Sequence, residues 1–226
     1  MGFRKLIDIM KKYDIALFDL DGTLSESGEG ILECVRKIFE RTNRPLPSEE
    51  IIKSFIGPPI YDSLKRCGFS HEESEEGVKI YKEEFLKSGI YKNKVYDGMN
   101  ELLSSLKENG VLLGVATTKY QPFAEKIINM LKLDRFFDFV GGATAGKERH
   151  TKELVIRYSL ENLGANADSH IIMVGDTKFD AEGAANVGCD FIGVLYGYGT
   201  KQEMENFYKN AIFVNTPSEI KNIILD

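Results

Sequence analysis

Beyond residue 96 the sequence alternates short, mostly apolar runs with segments of helical periodicity, and this alternation restricts the fold more than any other feature. The extended runs cover 111–117, 137–140, 170–175, 191–195 and 212–214; the helical segments cover 99–109, 121–131, 151–163, 179–187 and 217–225. A strand with one face in water alternates polar and apolar residues, whereas strands buried on both faces are near-continuous apolar runs, which these resemble more than they do the half-polar kind. Helices between such strands return the chain for parallel pairing. The expected fold is α/β: a three-layer, Rossmann-like parallel sheet covered by helices on both faces. An earlier run, Ile15-Ala16-Leu17-Phe18, supplies its first strand.

Residues 25–91 interrupt the pattern. Helical spacing of Ile31, Leu32, Val35, Ile38 and Phe39 stops near Asn43-Arg44-Pro45, Ser48-Glu49-Glu50 opens a second helix, and 60–67 and 70–87 read as two more. No strand is expected between 25 and 91. The chain is thus expected to divide into a discontinuous core, 1–24 and 92–226, and an all-helical cap, 25–91. Glu72, Glu73, Glu75 and Glu76 read as a solvated helix start, where negative charge suits the helix dipole, and His71 as a surface residue.

The 226 residues, 42% hydrophobic and 28% charged, suit a globular chain with one full core and a smaller unit. A formal net charge of -6 gives no basic footprint for nucleic acid and no polybasic surface for anionic lipid, so a small-molecule ligand is expected. Cys34, Cys67 and Cys189 are scattered, which fits a reducing compartment better than a disulfide frame or zinc site. The opening MGFRKLIDIMKKYD mixes charge into every apolar run, and Leu6 stands where a myristoylation signal wants Ser or Thr. It reads as neither a signal peptide nor a membrane span, and the expected location is cytoplasmic.

Ligands of open parallel sheets sit beyond the carboxyl ends of the strands. Three of those ends are polar: Asp19-Leu20-Asp21-Gly22-Thr23, Ala116-Thr117-Thr118-Lys119, and Val174-Gly175-Asp176-Thr177-Lys178-Phe179-Asp180. Strand alternation sends Asp19 and Asp21 to one side, where two carboxylates need a cation between them or a proton on one. Each piece alone has an ordinary reading: a turn at Asp21-Gly22 or Gly175-Asp176, a helix cap at Thr117 or Thr118. An EF-hand is excluded, because it would need Gly at Leu24 and Glu at Gly30. Oxygen donors from three aspartates suit a hard cation such as magnesium.

Taken in order, Asp19-Leu20-Asp21-Gly22-Thr23, Thr117, Lys152, and Gly175-Asp176 with Asp180 resemble the four motifs of the haloacid dehalogenase superfamily of phosphohydrolases. The stretches Phe55-Ile56-Gly57-Pro58-Pro59 and Gly193-Val194-Leu195-Tyr196-Gly197-Tyr198-Gly199 resemble its phosphoglycolate-phosphatase-like branch. The resemblance implies that Asp19 is the nucleophile, that Asp21 protonates the leaving oxygen, and that Thr117 and Lys152 stabilise the phosphoryl group. It places Mg2+ on Asp19, the backbone carbonyl of Asp21, and Asp176, with Asp180 orienting Lys152 or a water on the metal. Lys152 is preferred to Lys147 because it opens the amphipathic helix carrying Leu154, Val155, Tyr158 and Leu160. Gly57, Thr118, Arg149 and His150 are candidate substrate contacts, and Thr118 is a departure where the family often has Asn.

The expected activity is Mg2+-dependent hydrolysis of a small phosphomonoester, such as phosphoglycolate, a nucleoside monophosphate or a sugar phosphate. Alternatives on the same scaffold are a phosphomutase, for which Val rather than Thr23 would be usual, and a pyrophosphatase. A binding module without catalysis is the alternative of another class. Asp21 argues against phosphonate hydrolases and dehalogenases. The protein is expected to act as a monomer or homodimer.

Overall fold

A computed structural model of the chain describes residues 11–146 and 148–226. The leader, membrane and lipidation readings of the amino terminus fall largely on residues outside that set, as does Lys147. The sheet order is β5-β4-β1-β6-β7-β8, with every pair parallel. Its strands are β1 (Ile15–Phe18), β4 (Leu112–Tyr120), β5 (Phe139–Ala143), β6 (Ile171–Gly175), β7 (Asp190–Val194) and β8 (Ile212–Val214). The α/β expectation therefore holds, and β1 lies inside the sheet, buried at all four positions.

Side chains of β1 alternate between two apolar layers. Ala16 and Phe18 join the layer built from α5 (Met99–Glu108), α6 (Gln121–Met130) and α10 (Pro217–Leu225). Ile15 and Leu17 join the layer built from α7 (Lys152–Asn162) and α8 (Lys178–Val187). That alternation is the three-layer architecture stated residue by residue.

A helical insertion follows β1: α1 (Gly28–Arg41), α2 (Glu49–Lys53), α3 (Ile60–Arg66) and α4 (His71–Lys87), then a 3-10 turn at Gly89–Tyr91. Ser48 and Ser70 cap α2 and α4, and Ser70 with Glu73 completes a capping box, so the acidic run is a helix start as expected. Phe39 packs edge-on against both Phe55 and Phe69, gathering α1, α2 and α3 around one aromatic centre. One expectation fails here. Ser25–Glu26 form a two-residue strand, β2, that pairs antiparallel with β3 (Lys94–Val95). Pairing between the two crossings of the chain, not local propensity, makes these strands, so no period in 25–91 announces them. A further short helix, α9 (Lys201–Glu205), is opened by a Thr200–Glu203 capping box and was not expected from periodicity. Among the described residues no helix is long and apolar enough to cross a membrane.

Phe85 joins the insertion to the sheet layer. Fully buried on α4, it stacks on Tyr81 and on Phe123 of α6. Phe85→Ala should lower the unfolding free energy by about 3–5 kcal/mol in chemical denaturation. Leu86→Ala, at a neighbouring exposed position, should cost less than about 1 kcal/mol.

Candidate active site

Register brings the polar strand ends level. Phe18 pairs with Val115 on one side and Val174 on the other, so Asp19 leaves β1 beside Ala116 and Gly175. The chain departs from β1 towards β4 on one side and β6 on the other, a topological switch point, where a crevice opens at the carboxyl edge. The site is assembled there.

Lys152 is its centre. The first residue of α7, it is held behind a Thr151 cap and is nearly fully buried. Its Nζ lies 2.8 Å from Asp19 Oδ1, 2.6 Å from Asp180 Oδ1 and 3.0 Å from the Ala116 carbonyl oxygen. Burial alone would pull the ammonium's pKa down. The Asp180 and Asp19 carboxylates outweigh that and hold it above its ordinary range. Asp180 is fixed in turn, accepting from the Thr177 amide and hydroxyl at 2.9 and 2.8 Å in the capping box of α8.

Asp176 closes the group. It is fully buried and accepts from Thr23 Oγ1 at 3.1 Å and from the Tyr198 amide at 2.8 Å. Glycines make room for it: a Cβ at Gly22 or Gly197 would overlap its carboxylate, and Gly22 has φ +83°. Burial, reinforced by the neighbouring carboxylates, pushes the Asp176 pKa far up, and burial raises that of Asp19 to about 6 against the pull of Lys152.

Ligand oxygens of Asp19, Asp176 and Asp180 lie within 4.8 Å of one another. Three buried carboxylates face a single ammonium, so the cluster carries excess negative charge, and all its donors are oxygen. That set fits a hard divalent cation, which removes the repulsion that otherwise drives protons onto the group.

Asp21 is not one of the three clustered carboxylates, although it borders the same cavity as Asp19. The strand ends at Phe18, and the chain turns on the Leu20 carbonyl, which accepts from the amides of Thr23, Leu24 and Ser25. Asp21 pairs with Lys119, whose Nζ lies 2.8 and 3.1 Å from its two oxygens. Each of the two aspartates has its own lysine.

A β-bulge places Lys119 there. Register between β4 and β5 shifts between Ala116 and Tyr120, which frees Thr117, Thr118 and Lys119 from the ladder and turns them to the crevice. Thr117 Oγ1 accepts from the Lys119 amide at 3.2 Å, so its own hydrogen remains to donate. Thr118 Oγ1 donates to the Gly57 carbonyl at 3.0 Å, tying the sheet edge to the Gly57-Pro58-Pro59 loop of the insertion. Neither threonine caps α6.

Between insertion and sheet lies a cavity of about 820 Å3. Asp19, Asp21, Thr117, Thr118, Lys119, Gly57 and His150 all border it, as does His71, whose Nδ1 is 2.7 Å from Tyr61 Oη. Arg149 does not border it. Its guanidinium bonds the Gly142 carbonyl and Gln121 and lies 3.6 Å from the Tyr158 ring centre, supporting the loop after β5.

A parallel α/β core with a buried carboxylate–lysine cluster at its switch point, roofed by a helical insertion, defines a class of hydrolases. The family model described as haloacid dehalogenase-like hydrolase matches residues 16–194, and the chain belongs to that family. A 5'-nucleotidase of Pseudomonas aeruginosa is 37% identical over 198 residues, 87% of this chain and 89% of that protein. A phosphoglycolate phosphatase of Aquifex aeolicus is 29% identical over 185 residues, 81% of this chain and 85% of the relative. Among solved structures, a predicted phosphatase from Clostridium acetobutylicum superposes with a TM-score of 0.87 at 37% identity, covering 94% of this chain and 98% of that one. The chain is thus a haloacid dehalogenase-like hydrolase.

The charge argument is testable without substrate. Excess magnesium chloride should stabilise the wild type, by about 2.7 kcal/mol at a hundredfold excess over Kd. Thermal melts of Asp176→Asn should show less than about a quarter of that stabilisation, because one of three anionic donors is gone.

Proposed function

We propose that the protein is a magnesium-dependent phosphomonoesterase for a small cytosolic ester, working through an aspartyl phosphate on Asp19. The observation that carries this reading is a buried Asp19 bordering the cavity, ion-paired to a Lys152 that Asp180 and α7 hold in place. A carboxylate needs no base to activate it, and covalent catalysis divides one displacement into two. Asp19 attacks phosphorus as the leaving oxygen departs, and water then cleaves the acyl phosphate to restore Asp19.

Phosphoryl transfer asks mainly for positioning and positive charge. Lys152 meets the charge on the phosphoryl oxygens, and Thr117 donates its free hydrogen to one of them. Asp21, bordering the cavity but outside the carboxylate cluster, gives a proton to the leaving oxygen and takes one from the attacking water. Magnesium held by Asp19, Asp176 and the backbone carbonyl of Asp21 would add positive charge against the phosphoryl group.

In this reading residues 25–91 are the cap, and 1–24 with 92–226 the core. The Thr118–Gly57 hydrogen bond and the Phe85–Phe123 stack draw the cap onto the core, which shields the acyl phosphate while the leaving group departs.

Phosphate release from a panel of phosphate esters, with and without magnesium, tests the proposal. The wild type should hydrolyse a narrow subset only with magnesium, and Asp19→Asn should lower kcat by roughly a thousandfold or more. Isomerisation of a sugar phosphate without phosphate release would move the assignment to a mutase, and release from pyrophosphate alone to a pyrophosphatase.

A further inference from the structure

The loop that follows β7 holds Asp176 and also grips both connections of the helical insertion. Its Tyr198 amide donates to Asp176 Oδ2 at 2.8 Å, while the phenol oxygen of the same residue accepts from the amides of Ser27 and Gly28, where the chain enters α1. Two residues earlier, Tyr196 donates to the Thr23 carbonyl at 3.1 Å and sets its ring centre 4.7 Å from that of Tyr96, on the returning connection. Thr23 in turn bonds Asp176 Oδ1 at 3.1 Å. Each carboxylate oxygen of Asp176 thus accepts a bond from a group tied to the insertion's connections, and each keeps a lone pair for a cation.

Tyr198 stands between Gly197 and Gly199, residues of the most permissive backbone type. Contact requires both: a Cβ on Gly197 would overlap the Asp176 carboxylate, and one on Gly199 the Asp176 carbonyl oxygen. A turn of that composition does not fix its own amide, so its conformation rests on the Tyr198 side chain. The ring is wedged against Gly22 and Gly28, where a Cβ would lie 2.6 and 3.0 Å from ring carbons, and two backbone donors fasten the phenol oxygen. Ser27 makes no side-chain cap to α1, so the tyrosine supplies the acceptor at that helix start.

We infer that Tyr198 is a positioning residue for the metal site: its phenol, anchored on Ser27 and Gly28, holds the amide that orients Asp176, and so couples magnesium affinity to the order of the insertion's entry. This rests on the magnesium-dependent reading above. A cation that binds Asp176 as the amide presents it favours the anchored turn, and by linkage the anchored turn favours the cation to the same extent. Without the phenol bonds the turn samples conformations in which Asp176 loses its amide donor, and cation binding has to reorder it.

The test needs no substrate. Magnesium chloride is titrated into the wild type and Tyr198→Phe by calorimetry, and hydrogen exchange at the Ser27 and Gly28 amides is followed by NMR with and without it. Tyr198→Phe should weaken magnesium binding roughly tenfold or more, as loss of a group that orients a metal ligand does. In the wild type magnesium should slow exchange at Ser27 and Gly28 severalfold and leave Glu73, which Ser70 caps within its own helix, unchanged. Tyr198→Phe should abolish that response. Tyr208→Phe removes a phenol bond of the same kind, to the Cys189 carbonyl at the amino end of β7, and should keep both the wild-type affinity and the response. Unchanged magnesium affinity in Tyr198→Phe, equal weakening in the two variants, or exchange at Ser27 and Gly28 that ignores magnesium would overturn the inference and leave the phosphatase standing. If Tyr198→Phe does not fold, wild-type exchange and the Glu73 comparison still decide. A wild type that binds no magnesium would overturn this inference and the metal reading together.

Discussion

The rest of the site depends on one buried cation. Lys152 brings a positive charge into a space walled by Asp19, Asp180 and the Ala116 carbonyl, and no part of that arrangement is stable alone. The lysine tolerates burial because two carboxylates surround it, and the carboxylates tolerate each other because the lysine stands between them. This mutual dependence dictates the scaffold. β1 must deliver Asp19, β4 must present a carbonyl, and α7 and α8 must begin at the same edge, which a parallel sheet with in-register central strands supplies.

Asp176 shows how distant segments are recruited for the same purpose. The loop after β7 lays the Tyr198 amide on its carboxylate, and the Tyr198 phenol oxygen accepts from the amides of Ser27 and Gly28 at 2.8 and 2.7 Å. Ser27 makes no side-chain cap to α1, so the tyrosine does the work of a helix cap across the fold. Tyr196 adds a bond from its hydroxyl to the Thr23 carbonyl. The glycines at 22, 28 and 197 are small because a carboxylate and a tyrosine ring occupy the volume a Cβ would need.

What the sequence revealed and what it hid follow from the range of the forces involved. Apolar runs and capping residues act over a few positions, so the strands, the helix starts at Ser48, Ser70 and Thr151, and the inserted helices were legible. Asp19, Thr117, Lys152, Asp176 and Asp180 were legible as strand-end chemistry and as motifs. Lys119 was legible as part of a polar strand end, but its pairing with Asp21 was not, because that partner is 98 residues away and an irregularity in β4 aims the side chain. Ser25–Glu26 were missed for the same reason: a two-residue strand exists only by virtue of its distant partner. Arg149 shows the opposite error, since a cation beside the motif lysine invites a substrate role that the Tyr158 ring and the Gly142 carbonyl claim instead.

Two lysines divide the crevice between them, and the division has a physical logic. Lys152 sits on a helix, fastened by Asp19, Asp180 and the Ala116 carbonyl. Lys119 sits on an irregular strand end against the Phe85 ring, ion-paired to Asp21. The aromatic stack of Tyr81, Phe85 and Phe123 runs directly behind it, from the inserted helix α4 to α6. Cap seating and the charge state of the leaving-group side are thus built on the same side chains. A side-chain change where insertion and core meet can then reshape the cavity without touching the carboxylate cluster.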